Sequence, residues 1–471
     1  MRRMLIIADD LSGAADCASA CIHSGLSAAV ALGDLVQDLP YEILSVDCDT
    51  RHLDPATAAA RVAQLLRRYA PDSSVLLFKK LDSTLRGNVG AELSAMLDDR
   101  RSSHLRHRNI VDRNIVNQRI VAIMAPAFPA GGRTTRGGHQ FVNGTALHET
   151  ETWQHHTSTS STHASLHIPT MLSMAGMQSA LVTLPRIRSG GENLRHTMKT
   201  LAAAADVLVC DAETDEDLRA IATASLVLGP ETIWAGSAGL ASHLPHVAGL
   251  SSAASRGDLP IFTTGPMLLV IGSMSSVSRN QVKVLVEASS FETPSSKASS
   301  SGVLPVALVS LPPHVLLRGS QSPLWSEYAR QLSTLLHTGH EVVVVLEAAN
   351  PLHPGEGRRL SSALGAMMTP LAETIGALVA SGGETARAIL EAWGVTGLRM
   401  HGELEPGIPF TVTEGWSRPL PVLTKAGAFG DSEALLRCWR FLQTLYRRPT
   451  ILRLKLGVCV IRGTVGMALA F

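Results

Sequence analysis

Short, nearly unbroken apolar runs recur along this chain, and each stops abruptly at a cluster of polar residues before a stretch of helical periodicity. Met4–Ala8, Ile43–Val46, Ser74–Phe78, Ile120–Met124, Val207–Cys210 and Thr232–Ala235 read as buried strands in the first half. Met267–Ile271, Glu341–Leu346, Val379–Ser381 and Pro421–Thr424 repeat the pattern in the second. Helices are expected at Ala14–Ser24, at Pro55–Tyr69 and, from the apolar period of AELSAML, beyond Gly90. Strand, polar turn and helix in regular alternation predict an α/β fold with mainly parallel sheets flanked by helices. A segment rich in Ser, Ala, Gly and Pro at 246–266 divides the chain into a domain at 1–245 and a second unit from 267 onward.

Composition narrows this picture without changing it. A length of 471 residues exceeds what one core usually serves, which agrees with two domains. A net charge of +1 gives no pull towards nucleic acid or an anionic membrane. Cys17, Cys21, Cys48, Cys210, Cys438 and Cys459 have no zinc spacing and suit a reducing cytoplasm. No uninterrupted apolar run reaches the ~18 residues of a membrane span, and Met4–Ala8 is too short for a signal core. The basic stretch 100–119, with Arg-Asn-Ile-Val at 108 and again at 113, reads as an expanded surface loop; it lacks the interleaved aromatics of a nucleic-acid platform. His155, His156 and His163 lie in a low-complexity loop without metal-ligand spacing.

Candidate chemistry gathers at the strand ends. Asp9 and Asp10 follow the first run, Asp47, Asp49, Thr50 and Arg51 the second, and Lys79, Lys80, Asp82, Ser83, Thr84 and Arg86 the third. Each cluster alone reads equally as a helix cap or a solvated turn. Together they point to the crevice where open α/β sheets bind ligands, and their charges suit a small, anionic, hydroxylated molecule. In the loop after Met124, Arg133 and two threonines offer a phosphate site or a plain turn. Asp211 is a further candidate, while Thr214 and Asp217 form a helix N-cap pattern. The second half places glycines before a helix at Gly272–Ser276, Gly382–Thr385 and Lys425–Asp431, where backbone amides and the helix dipole bind phosphate. Neither a P-loop nor a dinucleotide fingerprint is present.

In their order, IADDLSGAAD, the Asp47–Arg51 strand end, KKLDSTLRGN, APAFPAGGRTT with VNGTALHETE, DAETDEDL, GSAGLA, SGGETARAIL and TKAGAFGD resemble the four-carbon acid sugar kinases, from Met4 to Leu445. The resemblance implies an acid-sugar-binding domain, a nucleotide-binding domain at 267–446 and an active site in the cleft between them. It implies ATP- and magnesium-dependent (Mg2+) phosphorylation of the terminal hydroxyl of threonate, erythronate or a 3-oxo-tetronate. Substrate contacts carried over are Asp9, Asp10, Arg51, Lys80, Leu81, Asp82 and Ser83; ATP contacts are Ser273, Gly382, Gly383, Glu384, Thr385 and Gly427, with metal ligands unassigned. Asp10 is the expected catalytic carboxylate, with Asp9 beside it. Arg51 suits a bidentate grip on a carboxylate, and Lys80 adds a second positive charge. The chain departs from the family pattern at Glu384, where aspartate is usual, at Ala428, where glycine is usual, and in the tail at 447–471. A binding-only homologue and a nucleotide-dependent oxidoreductase or isomerase of a hydroxy acid stay open beside the kinase, as does a homo-oligomeric state.

Overall fold

In the computed structural model of the chain, the apolar runs form one fifteen-stranded sheet rather than two separate ones. The structure describes residues 3–22, 25–33, 41–70, 74–108, 119–150, 153, 167–250, 259–292, 304–347, 355–427 and 429–447. From one edge the order is Ala307–Leu311, Val342–Leu346, Met267–Ile271, Ala377–Ser381, Pro421–Lys425, Ile408–Glu414, Gly397–Glu405, then Ala28–Leu32, Ile43–Asp47, Arg3–Ala8, Val75–Lys80, Ile233–Gly236, Ala122–Ala125, Val207–Cys210 and Ser179–Val182. Pairing is parallel within each half except around the hairpin Gly397–Glu405/Ile408–Glu414. That hairpin joins the halves, because Gly397, Leu398 and Arg399 pair antiparallel with Ala31, Val30 and Ala29. The α/β class and the parallel core agree with the sequence pattern. The separation into two sheets does not, since the joining strands carry a weak signal: Ala28–Leu32 reads AAVAL, and Gly397–Glu405 interleaves charges.

Local chemistry explains the elements that hold the site. The helix Pro55–Tyr69 starts where Asp54 accepts the Thr57 amide at 3.0 Å and proline presets the first turn, and it buries Ala58, Val62, Leu65 and Leu66 at helical spacing. Thr214 and Asp217 form a reciprocal capping box, so that acidic cluster is a helix start. The strand expected to end at Phe78 runs on to Lys80. Strand alternation sends its two lysines to opposite faces. Lys79 Nζ meets Glu92 Oε2 at 2.6 Å, with both side chains 1% exposed, and Lys80 turns towards the other face.

Three loop expectations change. Residues 100–108 continue the helix Val89–Arg108. There Arg100 donates to the Val75 carbonyl at 2.8 Å, while Arg101 and Arg119 both pair with Asp206, so these cations brace the fold. The loop after Ala125 folds into a three-stranded antiparallel sheet of Arg133–Arg136, His139–Val142 and Thr145–Ala146. Asp211 anchors it by accepting the amides of Gly137 and Gly138 at 2.8 and 2.9 Å. The helix Ala238–Val247 runs two residues past the expected boundary at 245. Residues 109–118 of the expected basic loop, His155, His156, His163, Ala428 and the tail beyond Arg447 lie outside the described residues. Among those described, no helix is long and apolar enough to cross a membrane.

Candidate functional site

The C-terminal ends of strands from both halves open into one cavity of about 830 Å³. Its first wall is built around the start of the helix Leu11–Ile22. Asp10 caps that helix, its Oδ1 accepting the Gly13 amide at 2.9 Å, and its Oδ2 accepts from Arg51 NH1 at 2.7 Å. The remaining Arg51 nitrogens grip Asp9, Nε to Oδ2 at 2.8 Å and NH2 to Oδ1 at 3.1 Å. The guanidinium fork is therefore filled by the protein's own carboxylate. Burial opposes the charge on Asp9, but Arg51 and Lys79 outweigh it and hold the carboxyl below its usual range.

Asp10, Arg51, Lys80, Asp82 and Ser83 line the cavity, whereas Asp9 and Leu81 are buried behind the wall. A methyl group on Gly13 would lie 2.7 Å from Asp10 Oδ1 and 3.1 Å from Lys80 Nζ, so the glycine lets the ammonium sit beside the cap. Asp82 is held by Arg86, with Nε at 2.5 Å and NH2 at 3.2 Å, and by the Thr84 hydroxyl at 2.5 Å. Against the opposing effect of burial, Arg86 keeps that carboxyl far below the usual range. Asp49 and Leu85, at φ 49° and 55°, hold left-handed backbone beside these clusters.

Two lining residues escaped the sequence reading as site groups. Asp16 lies one further turn along the face that carries Ser12 and Gly13, and burial pushes its carboxyl up to about 6. Helical spacing within IADDLSGAAD was the available signal. Lys425 ends a strand of the second half and is 1% exposed. Its Nζ donates to Ser381 Oγ, Ala426 O and Gly427 O at 3.2, 3.0 and 2.9 Å, and burial pushes it down to about 8. A lysine closing an apolar strand was that signal.

The second wall is a set of close backbone approaches. A Cβ on Gly427 would fall 2.5 Å from Ser273 Oγ, and one on Gly272 would fall 1.9 Å from Thr385 Oγ1. Gly382 sits at φ 108°, which favours glycine. The helices Ser276–Glu292 and Gly383–Ala392 start at this wall and turn free amide groups towards the cavity. Met274, Val277, Leu346 and Phe429 add an apolar side. Glycines, free amides and an apolar slot fit a nucleotide triphosphate. Among the described residues no cluster of three His, Cys, Asp or Glu forms a ready metal cage. Magnesium needs none, since it binds through one or two carboxylates together with phosphate oxygens, and Asp10, Asp16, Asp82 and Glu384 are the carboxylates that line the cavity.

The walls also touch each other. A methyl on Gly383 would lie 2.9 Å from Ser12 Oγ and 3.1 Å from Asp10 Oδ2. Glu384 reaches across to His52, raising the imidazole pKa and lowering its own. Below them Arg387 NH1 pairs with the buried Asp47 at 2.5 Å, and Arg358 pairs with Asp49.

Residues 4–244 match the family model of a sugar-binding N-terminal domain, and residues 268–435 that of a nucleotide-binding C-terminal domain. The chain is 35% identical over 449 residues to a D-threonate kinase of Cupriavidus necator, covering 93% of this chain and 97% of that one. It is 28% identical over 443 residues to a 3-oxo-tetronate kinase of Burkholderia multivorans, covering 90% and 94%. A crystal structure from Salmonella typhimurium LT2 shares the fold with a TM-score of 0.70 at 20% identity, over 94% of this chain and 100% of that one.

Proposed function

The chain belongs to the four-carbon acid sugar kinases and is a carbohydrate-acid kinase, and from that premise we propose that it transfers the γ-phosphoryl group of ATP to the terminal hydroxyl of a four-carbon sugar acid, D-threonate being the first candidate. The observation that carries this reading is the meeting of the walls at Asp10, whose Oδ2 is 3.1 Å from the space beside Gly383 that a side chain would fill. A phosphate cradled by the second wall and a hydroxyl held by the first come together there.

Asp10 orients the acceptor hydroxyl and takes its proton as the oxygen bonds to the γ-phosphorus and the bond to the β-phosphate breaks. Arg51 fixes that carboxylate through its links to Asp9 and Asp10. Lys80, Asp82 and Ser83 form the wall for the sugar-acid hydroxyls. Ser273, Gly382, Gly383, Glu384, Thr385 and Gly427 surround the phosphates, with the Lys425 ammonium beneath them. Magnesium, if bound with the nucleotide, would supply neutralisation of the phosphate charge. The choice of D-threonate rests on the relative at 35% identity.

The test is ADP release by the purified chain with ATP, magnesium and a panel of four-carbon acids. ADP formation with D-threonate is expected. Silence across the panel, with nucleotide and sugar acid still bound, would replace the kinase by a binding-only protein. Turnover of a nicotinamide cofactor would replace it by an oxidoreductase.

A further inference from the structure

Most cations on the sugar-side wall already have partners. Arg51 is held by Asp9 and Asp10, Arg86 by Asp82, and Lys80 donates to the Leu81 carbonyl at 2.8 Å beside Asp10. Arg133 differs. It lines the same cavity, yet among the described residues no carboxylate lies within ion-pair distance of it. NH1 donates to the Gly131 carbonyl, while Nε is buried with no hydrogen-bond partner. Burial of this guanidinium, with Arg86 also nearby, pushes its pKa down, although the Asp82 charge acts the other way. A half-buried guanidinium without an ion-pair partner is satisfied best by an anion that arrives with the ligand.

The position is also built to be rigid. Arg133 N donates to Phe128 O at 3.0 Å, and Phe128 N donates to Arg133 O at 2.8 Å, closing a short loop. Gly132 holds φ 70° at its tip, where a side chain would strike Asn143 Oδ1 at 2.0 Å, and Asn143 N donates to Gly132 O at 2.7 Å. A guanidinium fixed at its base loses little freedom when it takes a planar, bidentate partner.

We propose that Arg133 is a specificity-determining residue that receives the carboxylate of the sugar acid, at the end of the substrate away from Asp10. The assignment rests on the kinase reading above. It transfers to Arg133 the carboxylate grip that the sequence suggested for Arg51, whose fork Asp9 fills. It predicts selection for an acid over the neutral polyol of the same length, because a polyol leaves the half-buried guanidinium without an ion-pair partner.

The test compares wild type with Arg133→Gln and Arg133→Lys. It measures calorimetric binding of D-threonate, steady-state KM for D-threonate and for ATP, and kcat/KM for D-threonate against threitol. Loss of one charge-assisted bidentate contact should raise Kd and KM for the acid by ~10- to 100-fold. KM for ATP should stay within about 2-fold, and the preference for acid over threitol should fall by a factor similar to the rise in KM, since only the carboxylate contact is removed. Arg133→Lys should recover part of the affinity, as a charge without the planar fork. Unchanged acid affinity, or activity lost with the acid-to-polyol ratio intact, would overturn the assignment while leaving the kinase standing. A wild-type chain that neither binds nor phosphorylates any four-carbon acid would overturn the kinase reading and this assignment together.

Discussion

A methyl group added at Gly383 tests whether the gap between the two walls is where the reaction takes place. Gly383 is the first residue of its helix and does not hold a positive φ, so the backbone accepts alanine there. The new Cβ meets Ser12 Oγ at 2.9 Å and Asp10 Oδ2 at 3.1 Å, both tighter than ordinary contact. Ser12 Oγ is buried without a partner and can rotate away at little cost. Asp10 is pinned by Gly13 and Arg51 and moves only by disturbing them. Helix propensity favours alanine by up to ~1 kcal/mol, which offsets the crowding, so stability should change by less than about 1 kcal/mol. Displacing the reacting groups by a few tenths of an ångström should lower kcat by ~10- to 100-fold. Gly365→Ala is the contrasting variant, because its Cβ would lie 2.4 Å from the Ala388 carbonyl oxygen, a backbone atom that cannot turn aside. That change should cost at least ~1–3 kcal/mol while sparing kcat in the folded fraction. Scanning calorimetry and ADP release on both variants decide the matter. Wild-type kcat in Gly383→Ala, or a Tm loss as large as that of Gly365→Ala, would refute the placement.

Lys79→Met leaves Glu92 charged and buried without its partner, so urea unfolding should show a loss of ~3–5 kcal/mol, most of it restored in the Lys79→Met/Glu92→Leu double variant. Asp16 has a folded pKa near 6 against an ordinary 3.8, so its protonated form favours folding and wild-type stability from this group declines as pH rises from 3.8 through 6. Asp16→Asn should remove that decline and be at least as stable as wild type at pH 7; parallel Tm–pH curves would refute the buried-carboxyl argument. Lys425 has a folded pKa near 8 against 10.5, so the protonated form opposes folding and stability from this group rises between pH 8 and 10.5. If its ammonium serves the phosphates, KM for ATP should climb as pH passes about 8, and Lys425→Met should raise KM by ~10-fold and flatten the climb. A pH-independent KM in wild type would remove Lys425 from the nucleotide site.

The parallel core was legible because fully buried strands must be apolar throughout. Met4–Ala8, Val207–Cys210 and Met267–Ile271 need no partner to be recognised. The strand Val75–Lys80 was misjudged at its end because a strand reaching a cavity can keep lysines in the ladder, and periodicity cannot see the Glu92 that neutralises Lys79. The joining hairpin was missed because its partner, Ala28–Leu32, lies more than 350 residues away in the chain. Much the same holds for the site. Residue types and strand ends pointed to Asp10, Arg51, Lys80 and Gly382–Thr385, since each motif is local. Which charges remain available is not local. It took the placement of Asp9 against Arg51, and of Arg86 against Asp82, to leave Arg133 as the arginine of the sugar-side wall without an ion pair among the described residues.

The joined sheet also constrains how such a cleft admits its ligands. The ladder from Ala29–Ala31 to Gly397–Arg399 and the buried Asp47–Arg387 pair cross its floor. Separating the halves as a hinge would expose that ladder and strand an ion, and breaking one buried pair alone costs ~3–5 kcal/mol. Above the floor the crossing contacts are weaker in kind. His52–Glu384 and Arg358–Asp49 each include a side chain about half exposed, and such pairs are worth only ~0–1 kcal/mol. Opening is therefore cheapest at the rim, around Glu384, while the floor stays shut. Glu384 meets His52 from the first turn of its helix, so its side chain is part of that rim contact.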